Sequence, residues 1–281
     1  MIFEAPDDLR GLFSDGDRQL SVPLPPGRAV FSSEQDLDRP VYWLSDEPAP
    51  AGLWGPLRGA HAESGLWPLL LLGSKHVAAE SRPWADGEMY PGDMSHPGEH
   101  DAASLLARWW YQHTSSDDED MLSPSERLAV TAPYGRQWPG IAPVATEQID
   151  SGRNADGYAE VLLRSHPGMR LGLVASERGA DSLAVAGWWG AANYTNDTAE
   201  ISAVLRDWED RFGVRVVGLS GYATLFLSVA APPQEFDEAL RVAAEHFAFC
   251  PDNIWQGPRP CTLAAYAERL IGANSWGFWW D

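Results

Sequence analysis

His246 and Cys250 stand four residues apart in "EHFAFCPDN", so on a helix they are neighbours, the spacing of a thiolate–imidazole pair or of two metal ligands. The surrounding residues argue against an activated thiol. A helix N-terminus stabilises thiolate, whereas Pro251 puts Cys250 at the C-terminal end, where the dipole disfavours it. Phe236, Leu240, Ala243 and Phe247 share one face, and steps of 100° place Cys250 about 40° from it, a position for a small buried hydrophobe. His246 falls at the core boundary. Asp252 and Asn253 then read as a turn that bonds to loop backbone.

Other spellings are weaker. "HPGEH" at 96–100 fits the H-x-x-E-H pattern of inverted zinc peptidases, but that chemistry needs both histidines on one helical face, and Pro97 with Gly98 opposes a helix there. "GWWGAANYTND" has glycines but ends in Asp197 at a helix start, where a phosphate would have to bind. There is no G-x-S-x-G elbow. No catalytic constellation is complete, and no metal or cofactor is implied. Tryptophan is in excess, with 14 residues, several adjacent: Trp109 with Trp110, Trp188 with Trp189, Trp279 with Trp280. In such a pair on a strand or turn, one ring points inward and the other is left to line a pocket or anchor a partner.

The elements that must position these residues are legible in periodicity. "GRAVFS", "VYWLS" and the apolar run in "ESGLWPLLLLGSKH" read as strands, the last buried on both faces, with irregular helical turns in "AGLWGPLRGAH". Residues 81–100 read as loop, 101–112 as helix, and the charged run after residue 115 as solvated. From residue 155 the pattern is more regular: helix "YAEVLLRSH", strand "RLGLVAS", brief helix "ADSLAVAGW", then a helix opened by Asp197 and stopped by Gly213. A hairpin of "VRVVGLS" and "TLFLSVA", helices "QEFDEALRVAAEHFAF" and "TLAAYAERLIG", and a terminal strand "SWGFWW" follow.

This order predicts an α+β protein. The C-terminal part is expected to form a ferredoxin-like split βαβ sheet with helices on one face, preceded by an irregular α+β region. The division falls at 1–150, which is acidic and rich in Pro and Gly, and 151–281. The segments "RLGLVASERGADSLAVAGWWG", "VLRDWEDRFGVRVV", "AAEHFAFCPDN" and "TLAAYAERLIGANSWGFWWD" resemble a bacterial domain of unknown function, family 4253, over the last 115 or so residues. The resemblance brings no catalytic residue with it.

Forty acidic against 20 basic residues give a net charge of −20, with −14 before residue 151 and −6 after it. Such a chain repels phosphate backbones and anionic lipid, which excludes nucleic acid and membrane surfaces as partners. No apolar run reaches the ~18 residues of a membrane span, the start lacks the basic region of a signal peptide, and two cysteines form no disulfide framework. The expectation is a cytoplasmic location. The functional expectation is a non-catalytic binding protein that meets a basic protein partner, as a toxin-neutralising immunity protein would. The acidic run Asp117, Asp118, Glu119 and Asp120 is its candidate interface. The alternative is an enzyme or sensor whose tryptophan-lined pocket draws on Trp188, Trp189, Asn193, Tyr194, His246, Cys250, Asp252, Asn253 and Trp255. Oligomeric state is left open.

Overall fold

Successive side chains of a strand face opposite sides of a sheet, so an unbroken run of buried residues marks a strand covered on both faces. The run Leu66–Leu72 is such a strand, buried from Leu66 to Leu71. It is β3 of the computed structural model, which describes residues 9, 12, 20–74, 82–115, 123–144 and 149–281. Two neighbours share its character. In β4 (Arg170–Ala175) and β5 (Arg215–Ser220) the four central residues are all buried. β1 (Gly27–Val30), β2 (Tyr42–Pro48), β6 (Thr224–Ser228) and β7 (Ser275–Trp279) complete one mixed sheet in the order β1-β2-β4-β3-β5-β6-β7. Only β3 and β5 pair in parallel; every other neighbouring pair is antiparallel.

The helices among the described residues are α1 (Trp54–Gly59), α2 (His61–Ser64), α3 (Ala102–Ser115), α4 (Pro124–Val130), α5 (Ser151–Ser165), α6 (Ser182–Ala186), α7 (Thr198–Phe212), α8 (Phe236–Phe249), α9 (Asp252–Trp255) and α10 (Leu263–Leu270). Their ends follow from local chemistry. Asp197 caps α7 by accepting from the Ala199 amide at 3.0 Å, and Gly213 ends it in the left-handed region at φ 60°. Thr262 caps α10 through the Ala265 amide at 3.3 Å. α4 opens with a capping box of Ser123 and Glu126, a signal the sequence reading passed over beside the charged run.

Helices cover both faces of the sheet, not one. Trp276 and Phe278 of β7 point to one side, where the Trp208 ring of α7 lies 5.5 Å from each and Phe249 of α8 lies 4.9 Å from Phe278. Ser275, on the opposite face, neighbours Tyr158 of α5. Phe226 of β6 lies 6.0 Å from His166, just beyond α5. Strands as apolar as β3, β4 and β5 leave no face that water can solvate, so a second helical layer is required.

The α+β class stands, but the four C-terminal strands do not form the expected ferredoxin-like sheet. β3, from the first half of the chain, lies between β4 and β5, and β7 pairs with β6. The reason lies in β3 itself: in a strand buried on both faces the backbone N–H and C=O groups must be paired along both edges, and β4 and β5 supply the partners. The boundary near residue 150 therefore divides the sequence while the sheet draws strands from both sides of it.

Candidate functional site

The parallel strands β3 and β5 end side by side, with Leu72 opposite Ser220, and the Gly221 amide bonds to Leu72 O at 2.8 Å. In sheets with parallel strands, ligand hollows form beyond such carboxyl ends, because the connecting loops diverge there. Gly221, at φ 55°, turns the chain from β5 into β6 and presents Tyr222, 43% exposed. Two further segments close around that turn. Tyr90 donates its amide to Gly187 O at 2.9 Å, which presses the segment before it against the Trp188 and Trp189 turn. Gly187 has φ 67°, and a Cβ there would fall on the peptide joining Tyr90 to Pro91, so only glycine fits.

The result is a cavity of about 320 Å³ lined by Trp188, Trp189, Tyr90, Tyr222, Met89, Pro83, Arg82, Glu88 and Glu34. The Tyr90 and Trp189 rings stand 4.5 Å apart at 50°. Trp189 is 44% exposed, whereas Trp188 is 1% exposed and its indole Nε1 has no hydrogen-bond partner. The adjacent tryptophans thus divide as inward and outward rings, as expected. Arg82 is paired with Glu88, which raises the guanidinium pKa. Burial raises the Tyr222 phenol, with the nearby Glu88 carboxylate as the next cause. Tyr90 is raised by burial and then by the neighbouring Glu34 carboxylate. Both phenols therefore stay protonated beside carboxylates.

Two other hollows adjoin this end of the sheet. One of about 440 Å³ shares Tyr222 and includes Gly73, His166, Ser220 and Trp279; another of about 400 Å³ shares Gly73 and includes Asp46, Trp84 and Arg170.

Of the nine residues expected to share a pocket, Trp188 and Trp189 line the aromatic cavity. The others build the scaffold around β7. Cys250 is fully buried, its Sγ donates to Trp279 O at 3.0 Å, and burial pushes the thiol pKa well up. Asn253 donates to Gly277 O at 2.7 Å and accepts from the Trp279 amide at 3.1 Å. Asp252 accepts from the Tyr194 hydroxyl at 2.9 Å and from the Asp281 amide at 3.1 Å, while Asn193 donates to Asp281 O. His246 is fully buried with Nδ1 3.1 Å from the Tyr266 hydroxyl, and burial lowers its pKa to about 3. Trp255 packs against Phe247 and His113 at 5.3 and 5.8 Å. His246 is therefore deeper than the core boundary, while Cys250 is the small buried residue its helical angle implied. The acidic residues Asp117, Asp118, Glu119 and Asp120 lie outside the described residues.

The "HPGEH" stretch forms a 3-10 turn in which His96 Nδ1 accepts from the Gly98 amide at 3.0 Å. His100 Nε2 is 2.6 Å from Ser95 Oγ, and Ser95 Oγ donates to Asp197 at 2.6 Å. A hydrolytic triad needs the carboxylate on the far nitrogen of the imidazole. Here it holds the serine instead, so the trio ties the turn to the start of α7. Among the described residues no group of three or more His, Cys, Asp or Glu is gathered to hold a metal ion. Among them, too, no helix is long and apolar enough to cross a membrane.

Deeper still, Glu245 of α8 is fully buried and accepts from Arg211 at 2.7 and 3.0 Å, from Trp208 Nε1 at 2.6 Å and from the Ala142 amide at 2.5 Å. Burial pushes this carboxyl up, while Arg211 and the N–H donors pull it down. With every acceptor site engaged, it reads as a strut between α7, α8 and the segment at Ala142.

The elements from β4 to β7 define the class: an α+β region whose last strand is locked to a helical corner. Residues 170–281 match the model of a domain of unknown function, DUF4253. No curated protein and no solved structure matches the chain. The match begins at β4 and so leaves out β3, and with it Arg82, Glu88 and Tyr90 of the cavity. Sequence reading missed those three, with Glu34 and Tyr222, because each lies in a connection without periodicity. The tryptophan doublet was the signal available.

Proposed function

We propose that the protein binds a small molecule in the aromatic cavity beside Trp188 and Trp189. One observation carries the reading: four aromatic rings and an arginine–glutamate pair converge on a concave space of about 320 Å³. This is the lower end of the size range of ligand pockets, and it combines apolar walls with a few fixed polar groups. The reading extends the tryptophan-pocket alternative drawn from sequence, moved from the Cys250 corner to the β3 and β5 end of the sheet. A fluorescence and thermal-shift screen of small ligands tests it. Binding should quench tryptophan emission, raise the melting temperature as ligand concentration passes the dissociation constant, and be weakened by Trp189→Ala. Hits whose affinity is unaffected by both Trp189→Ala and Tyr222→Ala would remove it.

A second reading, engagement of a basic protein partner, is supported by how the cations are used. Arg58, Arg82, Arg108, Arg178, Arg206, Arg211 and Arg215 are all paired with acids of the same chain. The surplus of 20 negative charges is thus carried by unmatched carboxylates. Association with such a partner should be fast at low salt and slow as salt screens the charges, with a Debye length of about 8 Å at physiological ionic strength. Replacing Asp117, Asp118, Glu119 and Asp120 by their amides should slow it further. An association rate indifferent to both salt and this replacement would set the reading aside.

A further inference from the structure

We propose, building on the small-molecule reading above, that the ligand of the aromatic cavity is a small organic cation of the alkylammonium class. Three features of the lining select it. First, aromatic ring faces carry negative electrostatic potential and attract a cation within about 6 Å of the ring centre, most strongly for tryptophan. Trp189 and Tyr90 stand together, and Tyr222 and Trp188 complete the walls. Second, the charges do not cancel. Arg82 is held by Glu88, with Asp86 also at 3.5 Å, so its charge is spent within the protein. Glu34 lines the same space, and among the described residues no cation pairs with it. The cavity therefore keeps a net negative charge. Third, burial and the neighbouring Glu34 and Glu88 carboxylates raise the phenols of Tyr90 and Tyr222, so both rings line the cavity uncharged. An anionic guest would meet carboxylates, and a neutral apolar guest would draw nothing from Glu34.

The test uses the full chain and a pair of probes of nearly the same shape: choline, and 3,3-dimethylbutan-1-ol, in which carbon replaces the charged nitrogen. Tryptophan quenching and calorimetry should show saturable binding of choline and at least about tenfold weaker binding of the alcohol. Glu34 is exposed, so Glu34→Gln should leave the melting temperature unchanged. It should weaken choline several-fold and leave the alcohol unaffected. Trp189→Ala should weaken both. Equal binding of the two probes, or choline binding unchanged by Glu34→Gln, would overturn the cationic assignment while leaving the cavity reading in place. Binding of indole, a neutral aromatic probe, with neither of the pair bound would do the same. Silence from all three probes would overturn both.

Discussion

A thiol and an imidazole on adjacent helical turns invite a catalytic interpretation, and the environment of each decides against it. Cys250 is fully buried, and the Asp252 carboxylate adds to the burial that disfavours its thiolate. Cys261 is partly exposed. Native protein treated with a thiol reagent at neutral pH should label first at Cys261, and Cys250 should follow only at the rate of global unfolding. Mass spectrometry of the two peptides over time checks this; fast labelling of Cys250 would restore the nucleophile. The histidines carry a second prediction. Burial lowers the pKa of His246 to about 3 and of His113 to about 4, so both are neutral in the folded chain and take up a proton on unfolding below the ordinary value of 6.5. The stability they contribute is fully present above about pH 6.5 and falls as pH drops toward 4. The slope is on the order of 1.4 kcal/mol per pH unit for each fully buried histidine. His113 is half-buried and its pKa is lowered less, so its share is smaller. Denaturant unfolding at pH 7, 6 and 5 measures the slope. Glu245, raised by burial, works in the opposite direction. The difference between the wild type and His246→Leu isolates the imidazole, and identical slopes in the two would refute the assignment.

At the level of elements, the glycine at 187 links backbone conformation to the cavity wall. Gly187→Ala puts a side chain into a left-handed residue and onto the neighbouring peptide, which should cost about 1–3 kcal/mol. It should also move Tyr90 away from Trp189. The checks are a lowered melting temperature and a changed near-ultraviolet spectrum in the Trp–Tyr region; a variant with native stability and spectrum would show that the two segments are not pressed together. The elements themselves were largely legible. Apolar runs, alternation in "SWGFWW", the Asp197 cap and the Gly213 stop gave strands and helices close to those observed, because these signals act within a few residues. The sheet order was not legible, since nothing local in "LWPLLLL" says which strands will flank it. The cavity was half legible: the doublet Trp188 and Trp189 declared one outward ring. Tyr90 and Tyr222 join it through turns whose geometry depends on distant segments.

The molecule as a whole depends on β3 bridging β4 and β5. A fragment of residues 151–281 retains four strands but loses β2 and β3, leaving β4 without a neighbour on either side and β5 with one unpaired edge, beside exposed apolar side chains. It should fail to melt cooperatively and should associate, whereas adding residues 20–74 as a separate polypeptide should recover some native signal. A fragment that melts cooperatively as a monomer would show that the C-terminal strands can re-pair among themselves.

At the far end of the sheet, the side chain of Asn253 imitates a peptide group. Its amide N–H meets Gly277 O and its oxygen meets the Trp279 N–H, while the Cys250 thiol takes Trp279 O. These are the backbone groups on the side of β7 facing away from β6, the ones another molecule would use to add a strand. The helical corner thus terminates the sheet chemically and protects it from polymerising through that rim. Asn253→Ala removes the mock peptide while leaving the fold's apolar contacts in place. Its expected outcome is growth of large species with protein concentration in light scattering, at a melting temperature lowered by only a few degrees. A variant that stays monodisperse at high concentration would mean that other features guard the rim, and the asparagine would then be a fastening for the strand alone.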